Sequence, residues 1–272
     1  MWLKYSKILI LLCLVFVGSL FSQDMKSYNY MWLINIPTPY TLNKSSIQLD
    51  MFGRYTNYRD RRTGVRELLL IGNYGLTNNV SLSFLTPISD LDNQLSDLQV
   101  SDVSLMLKYR VFDTRFSSIA LSPMISFPTG SEQKLLGSGK VNYQLRFSYG
   151  YQQKRISLFV NLDYGKKGYV NHKRRLNPSG STSIIYSMRR EQILTFSGGL
   201  TFAVKPEVTI LLEATSQFVP EFSDKDFYFQ IGGILHIKKM ILLRGGGGIG
   251  LPENRRSMIV SRFLVGLSYV YN

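Results

Sequence analysis

The sequence predicts an all-β protein, a transmembrane antiparallel up-and-down β-barrel of about 12 strands, with about 14 as the alternative count. Three observations lead there. Segments of roughly ten residues alternate apolar and polar positions, which is the strand period. The connections between them alternate between short and long, as in barrels with turns on one rim and loops on the other. Finally, 44% of residues are hydrophobic, with 17 Tyr and 16 Phe, yet nothing beyond the N-terminus reads as a membrane-spanning helix; aromatic girdles on a membrane barrel account for such a composition.

The chain opens MWLKYSKILILLCLVFVGSLFSQ, with Lys4 and Lys7 ahead of an apolar run at 8–17 and then Gly18, Ser19 and Ser22. That order reads as a secretory signal peptide over residues 1–22, since the run is well short of the ~20 residues a spanning helix needs. The single cysteine, Cys13, lies inside it, so the mature chain offers no disulfide scaffold, cysteine metal site or thiol nucleophile. Removing residues 1–22, whose only charges are Lys4 and Lys7, lowers the formal charge from +14 to +12. In an exported chain this excess suits outer-membrane lipid and lipopolysaccharide as partners, and not nucleic acid.

Residues 23–43 (QDMKSYNYMWLINIPTPYTLN) form a lead-in expected in the periplasm, and 44–272 the barrel. The clearest strand is 141–151, where Val141, Tyr143, Leu145, Phe147, Tyr149 and Tyr151 oppose Asn142, Gln144, Arg146, Ser148 and Gly150. Residues 102–112 repeat the pattern, Val103, Leu105, Leu107, Tyr109 and Val111 against Asp102, Ser104, Met106, Lys108 and Arg110. So do residues 156–165. The other strands fall near 45–57, 65–76, 79–88, 116–127, 191–204, 207–219, 226–238, 240–251 and 258–271. Residues 182–190 fit three alternatives: an extension of the next strand above the membrane, a loop hairpin, or an extra strand.

Short turns near 77–79, 113–115, 152–154, 204–207 and 238–239 alternate with connections at 58–64, 89–99, 128–139, 166–190, 220–225 and 252–257. With the long loops outside the cell, both termini face the periplasm, and the chain is expected in the bacterial outer membrane. The last strand presents Phe263, Val265, Leu267, Tyr269 and Tyr271 on one face. This resembles the aromatic terminal strand read by the barrel-assembly machinery, an expected partner during biogenesis.

Little in the chain suggests an enzyme, a cofactor or a metal site. Only His172 and His236 are present, which excludes histidine-rich metal clusters and leaves a Ser–His–Asp site with one of two unpromising positions. RGGGGIG at 244–250 lacks the Lys-Ser/Thr of a phosphate loop and a following helix; in a strand, glycines permit curvature and leave space in the lumen. The charges that alternation turns inward are Asp50, Arg54, Glu67, Asp102, Lys108, Arg110, Arg146, Asp163, Glu213, Arg244 and Arg262. In hydrocarbon an Arg or Lys would cost ~2–4 kcal/mol at the midplane. Their inward roles are an ion-pair network bracing the wall and a polar lining, Arg-weighted, that candidate permeants would touch. Twelve strands about 4.8 Å apart and tilted about 40° enclose a backbone cylinder of roughly 24 Å, so small molecules fit and folded proteins do not.

One stretch resembles a known family. QVSDVSLMLKYRVFD, followed by SSIALSPMISFPTGSEQKLLGSGKVNYQLRFSYG, places Asp102, Leu105, Lys108, Tyr109 and Arg110 in a D-x-x-L-x-x-K-Y-R-like strand. A strand then ends in Pro128-Thr129-Gly130, and Gly137-Ser138-Gly139 opens the next. With TPYTLNKSSIQLD and GNYGLTNNVSLSFLTPI flanking, residues 36–165 resemble the outer-membrane barrel family named for the meta-pathway of phenol degradation. The resemblance implies a transporter-like barrel, in some members associated with uptake of aromatic compounds, and no transferable set of catalytic or binding residues. Phenol is not carried over as a substrate.

The function expected is thus passive passage of small molecules, aromatic or anionic ones among the candidates, through an outer-membrane channel. One alternative is a non-conducting anchor or surface-binding barrel that holds a partner through the basic segment YVNHKRRLN. Another is an outer-membrane hydrolase.

Overall fold

Among the described residues thirteen strands follow one another: β1 (Ile47–Tyr58), β2 (Val65–Thr77), β3 (Val80–Asp90), β4 (Gln99–Val100), β5 (Val103–Asp113), β6 (Ser117–Phe127), β7 (Asn142–Gln153), β8 (Ile156–Leu176), β9 (Thr182–Lys205), β10 (Val208–Val219), β11 (Asp224–Lys238), β12 (Ile241–Pro252) and β13 (Ile259–Tyr271). The computed structural model describes residues 33, 36–58, 65–90, 98–131, 136–176, 182–219, 224–238, 240–252 and 259–271. The signal peptide expected at 1–22 and most of the lead-in lie outside the described residues.

Each wall strand pairs antiparallel with its neighbours, β3 with β5 past the two-residue β4, and β13 with β1 from Ile47↔Tyr271 to Tyr58↔Ile259. The sheet therefore closes as a 12-strand barrel with one short extra strand. Closure is what lipid demands, because an unpaired N–H or C=O in hydrocarbon has no water to turn to. The alternation read from the sequence fixes the faces: Val265 is 63% exposed and Leu264 only 6%. Leu49, Tyr143, Phe196, Ile231 and Phe263 point outward in the same way.

The segment 182–190 belongs to β9, so of the three alternatives the extension holds and no fourteenth strand is added. Most of what the sequence read as a loop at 166–190 is paired strand, from Lys166↔Gln192 to Leu176↔Thr182. Alternation is imposed only where one face meets lipid; above that level a ladder persists without it.

The P-T-G and G-S-G elements form a clamp at the start of β5. Asp102 accepts from Gly130 N (3.1 Å) through Oδ1, and from Ser138 N (2.9 Å) and Ser138 Oγ (3.0 Å) through Oδ2. Thr129 Oγ1 accepts from Val103 N (2.9 Å) and donates to Ser101 O (2.8 Å). A Cβ on Gly137 would lie 2.4 Å from both Asp102 Oδ1 and Gly130 O, so only glycine fits. The clamp ties the two strand ends of a long connection.

The core lies inside the cylinder, and part of it is not wall. Leu33, Ile36, Tyr40 and Leu42 of the lead-in are buried against Phe52, Ile71, Met106, Phe159, Leu211, Ile234 and Leu264. Where the sequence reading put the lead-in in the periplasm, its described residues run within the wall. The physical reason is room. Added Cβ atoms would meet Asn43 O at 1.9 Å from Gly75, Pro39 Cγ at 2.7 Å from Gly150 and Leu33 Cδ1 at 2.8 Å from Gly199, so inward glycines make the groove the lead-in fills.

Two outcomes follow. Gly75→Val drives a side chain into backbone at Asn43, so limited proteolysis of the refolded protein should cut the lead-in faster while the barrel keeps its heat-dependent shift in gel mobility. Asp102→Ala removes three charge-assisted hydrogen bonds and should lower stability by about 2 kcal/mol, read as a shifted urea midpoint in lipid vesicles.

Candidate functional site in the barrel lumen

Inward positions recur every second residue on each strand, so facing residues on neighbouring strands meet within the lumen. Arg54 of β1 and Glu67 of β2 are direct register partners and form an ion pair. Arg146 of β7 and Asp163 of β8 are likewise opposed. Their pairing is a two-point fork, Nε to Oδ1 and Nη2 to Oδ2, the latter at 3.0 Å.

A third pair reaches across a strand. Arg244 Nη1 lies 3.5 Å from Asp50 Oδ1, both side chains fully buried, with β13 between them. Gly266 makes this possible, because a Cβ there would sit 2.1 Å from Phe52 Cδ1. The Phe52 ring occupies that space, with the Arg244 guanidinium 5.6 Å from its centroid. Asp50 also accepts from Gln48 Nε2 (2.9 Å) and Asn73 Nδ2 (3.0 Å), and Asn73 Oδ1 accepts from Ser83 Oγ (2.7 Å). One polar chain thus links β12, β1, β2 and β3.

The remaining candidates do different work. Lys108 Nζ donates to Thr38 O (2.6 Å) and Tyr40 O (3.2 Å), holding the lead-in by its backbone. Arg110 lies at the short-turn rim, donating to Asn78 O (2.8 Å) and pairing with Asp113 at 3.0 Å. Arg262 Nε donates to Thr56 Oγ1 (3.2 Å), its guanidinium 4.9 Å over the Tyr228 ring. Glu213 is buried on β10 opposite Gln230, and Asp102 belongs to the clamp. His236 is an inward, buried residue, while the side chain of His172 lies outside the described ones. Among the described residues no three His, Cys, Asp or Glu gather as a metal site.

The lining expected to be Arg-weighted is therefore largely self-compensated: Asp50, Glu67 and Asp163 each hold one arginine. Apolar side chains of β1, β2, β5, β8, β10, β11 and β13 fill the space between these pairs. Gly248, one of the four consecutive glycines of β12, leaves no vacancy, since a Cβ there would lie 2.6 Å from the Tyr228 hydroxyl.

Sequence reasoning missed the lead-in as a component of the lumen. Besides the Lys108 contacts, Asn161 Nδ2 donates to Pro37 O (3.0 Å) and Arg244 Nη1 to Leu33 O (3.2 Å). Leu42 N donates to Ser81 Oγ (2.9 Å), and Tyr40 packs edge-on to Phe159 with centroids 5.9 Å apart. Burial pushes the Tyr40 hydroxyl up to about 12, so at neutral pH it is a protonated donor, here to Gln152 Oε1 at 2.9 Å. The signal for all this was the pairing of apolar Leu33, Ile36 and Leu42 with glycines on polar wall faces. A recess of about 860 Å³ borders β1, β2, β12 and β13, lined by Arg54, Glu67 and Leu264 from inward positions and by Gly53, Phe263 and Val265 from outward ones.

Solved structures share this architecture. The NanC porin superposes with a TM-score of 0.58 at 15% identity, over 81% of this chain and 98% of that one. The KdgM porin in complex with disordered oligogalacturonate gives 0.55 at 14%, over 83% and 99%. An outer membrane channel from Pseudomonas putida F1 gives 0.56 at 12%, over 88% and 100%. At these identities the likeness is one of fold, that of an outer-membrane barrel. No curated protein matches the sequence. The family described as "Putative MetA-pathway of phenol degradation" matches residues 35–262, most of the chain, and to that family this protein belongs.

Proposed function

We propose that this protein is an outer-membrane channel for small molecules, its lumen narrowed by its own lead-in. The observation that carries the reading is that the interior is filled by a segment that is not wall. A barrel serving only as an anchor can fill its lumen with side chains of its own strands. Here inward Gly75, Gly150 and Gly199 leave a groove, and the described residues of the lead-in occupy it, held by wall side-chain donors such as Lys108 and Asn161.

The lining favours compact molecules with an apolar body over strongly hydrated anions. Phe52, Met106, Phe159 and Leu211 make the packed interior apolar, and the arginines of three ion pairs are already matched by their own acids. For that reason the oligogalacturonate named with the KdgM porin is not proposed as a permeant here. The residues a permeant would meet include Arg54, Arg146, Asp163, Glu213 and Arg262, with Lys108 setting the width. The proposal includes export through the signal peptide at 1–22, periplasmic termini, and reading of the aromatic β13 by the assembly machinery. It includes no enzymatic activity.

Planar-bilayer recording of the refolded mature chain tests this. The wild type should show small unitary conductance, and Lys108→Met, which removes both bonds to the lead-in backbone, should raise it severalfold. If neither protein conducts, the channel reading fails and the non-conducting anchor stands. Liposome swelling adds a second measure: a neutral aromatic solute should enter faster than an anionic sugar of similar mass, and the reverse order would restore the anion-selective lining.

A further inference from the structure

The strands β8 and β9 outrun their neighbours. β7 pairs with β8 as far as Tyr143↔Lys166, and β10 with β9 as far as Phe218↔Leu194. Beyond those points, among the described residues, β8 and β9 pair only with each other, for ten more positions from Lys167↔Glu191 to Leu176↔Thr182. At about 3.3 Å per residue this two-stranded ribbon extends roughly 30 Å. It rises on the long-loop side of the barrel.

Its sequence is strongly basic, with Glu191 at its base as the one acid. Residues 166–190 hold Lys166, Lys167, Lys173, Arg174, Arg175, Arg189 and Arg190 and no acid. Seven of the +12 charges of the chain without residues 1–22 thus fall in 25 residues. The other long connections all carry acid: Asp60 among Arg59, Arg61 and Arg62 in one, Asp90, Asp92 and Asp97 without a base in another, and Glu253 beside Arg255 and Arg256 in a third. The lumen, where Asp50, Glu67 and Asp163 each pair with an arginine, is not where the basic excess resides. Ladder pairing places Lys173, Arg174 and Arg175 near the tip and Arg189 and Arg190, level with Tyr169 and Gly168, near the base of the ribbon.

We propose that the β8–β9 ribbon is a docking arm for the phosphate groups of lipopolysaccharide in the leaflet around the barrel. A basic ribbon continuing two wall strands past the lipid would meet the layer where those phosphates reside, and Lys and Arg near an anionic surface are attracted to it at physiological salt. Basic residues on exposed strand edges also block edge-to-edge pairing. That role would need charge but no phosphate, and the two are separable by experiment. The inference goes beyond the channel reading and rests only on the outer-membrane placement of the barrel.

Binding of the refolded mature chain to vesicles carrying purified lipopolysaccharide is compared with binding to the same lipopolysaccharide stripped of phosphate. The wild type should prefer the phosphorylated form by about tenfold or more, and the preference should shrink as salt rises. Joint replacement of Lys173→Gln, Arg174→Gln and Arg175→Gln should abolish most of it. Lys154→Gln with Arg155→Gln, at the opposite rim, should not. Equal binding by the triple variant, indifference to phosphate removal, or equally tight binding of polyglutamate would each overturn the assignment. If the triple variant does not fold, the phosphate comparison on the wild type decides alone. Conductance should be the same in wild type and triple variant, so a failed channel and a failed arm are distinct results.

Discussion

The rest of the structure depends on the absence of water in hydrocarbon. A backbone that crosses lipid must bond to itself everywhere, so the ladder must run from β1 round to β13 and meet without an edge. Once closed, the cylinder has one face committed to lipid and one to the lumen, and a charge that a strand carries at the depth of the hydrocarbon is forced inward. The ion pairs of the lumen follow from this. Arg54–Glu67, Arg146–Asp163 and Arg244–Asp50 are charges that the outer face cannot accept, and their partners stand on neighbouring or next-neighbouring strands because register puts them there. A buried charge whose partner is removed costs several kcal/mol, which makes these pairs braces of the wall before they are anything else.

The same commitment explains the glycines. An inward glycine is a place where the wall gives up volume, and here something else takes it each time: the lead-in at Gly75, Gly150 and Gly199, the Phe52 ring at Gly266, Tyr228 at Gly248. The lumen is packed by borrowing, with one strand or the lead-in leaning over another strand's missing side chain.

Much of the fold was legible because lipid imposes a strict code. Alternation located all 12 wall strands within a few residues, except where β8 and β9 continue above the membrane and the code no longer applies. The site was less legible. Inward orientation of Asp50, Lys108, Arg146 and Arg244 follows from period two, yet period two gives no partner. Nothing local to Lys108 says that it will grip Thr38 and Tyr40, some 70 residues earlier, and nothing in TPYTLN says that it will lie inside the barrel. Those facts are set by register and by the shape of the closed cylinder. The resemblance through Asp102, P-T-G and G-S-G pointed at the right residues, and the structure gives their work as a clamp between strand ends.

The seam where β1 meets β13 has a kinetic meaning. Ile47 and Tyr271 are register partners at almost opposite ends of the described residues, among the most distant pairings in the sheet. Loop closure over such a span is entropically slow, and contacts of this kind lengthen folding times. Every earlier hairpin can form from neighbours in sequence, but the cylinder waits for its final strand, and until then β1 and the newest strand present two bare apolar edges. The 13 residues of β13 are therefore a timing element: they decide when the protein stops being an aggregation-prone sheet and becomes a barrel.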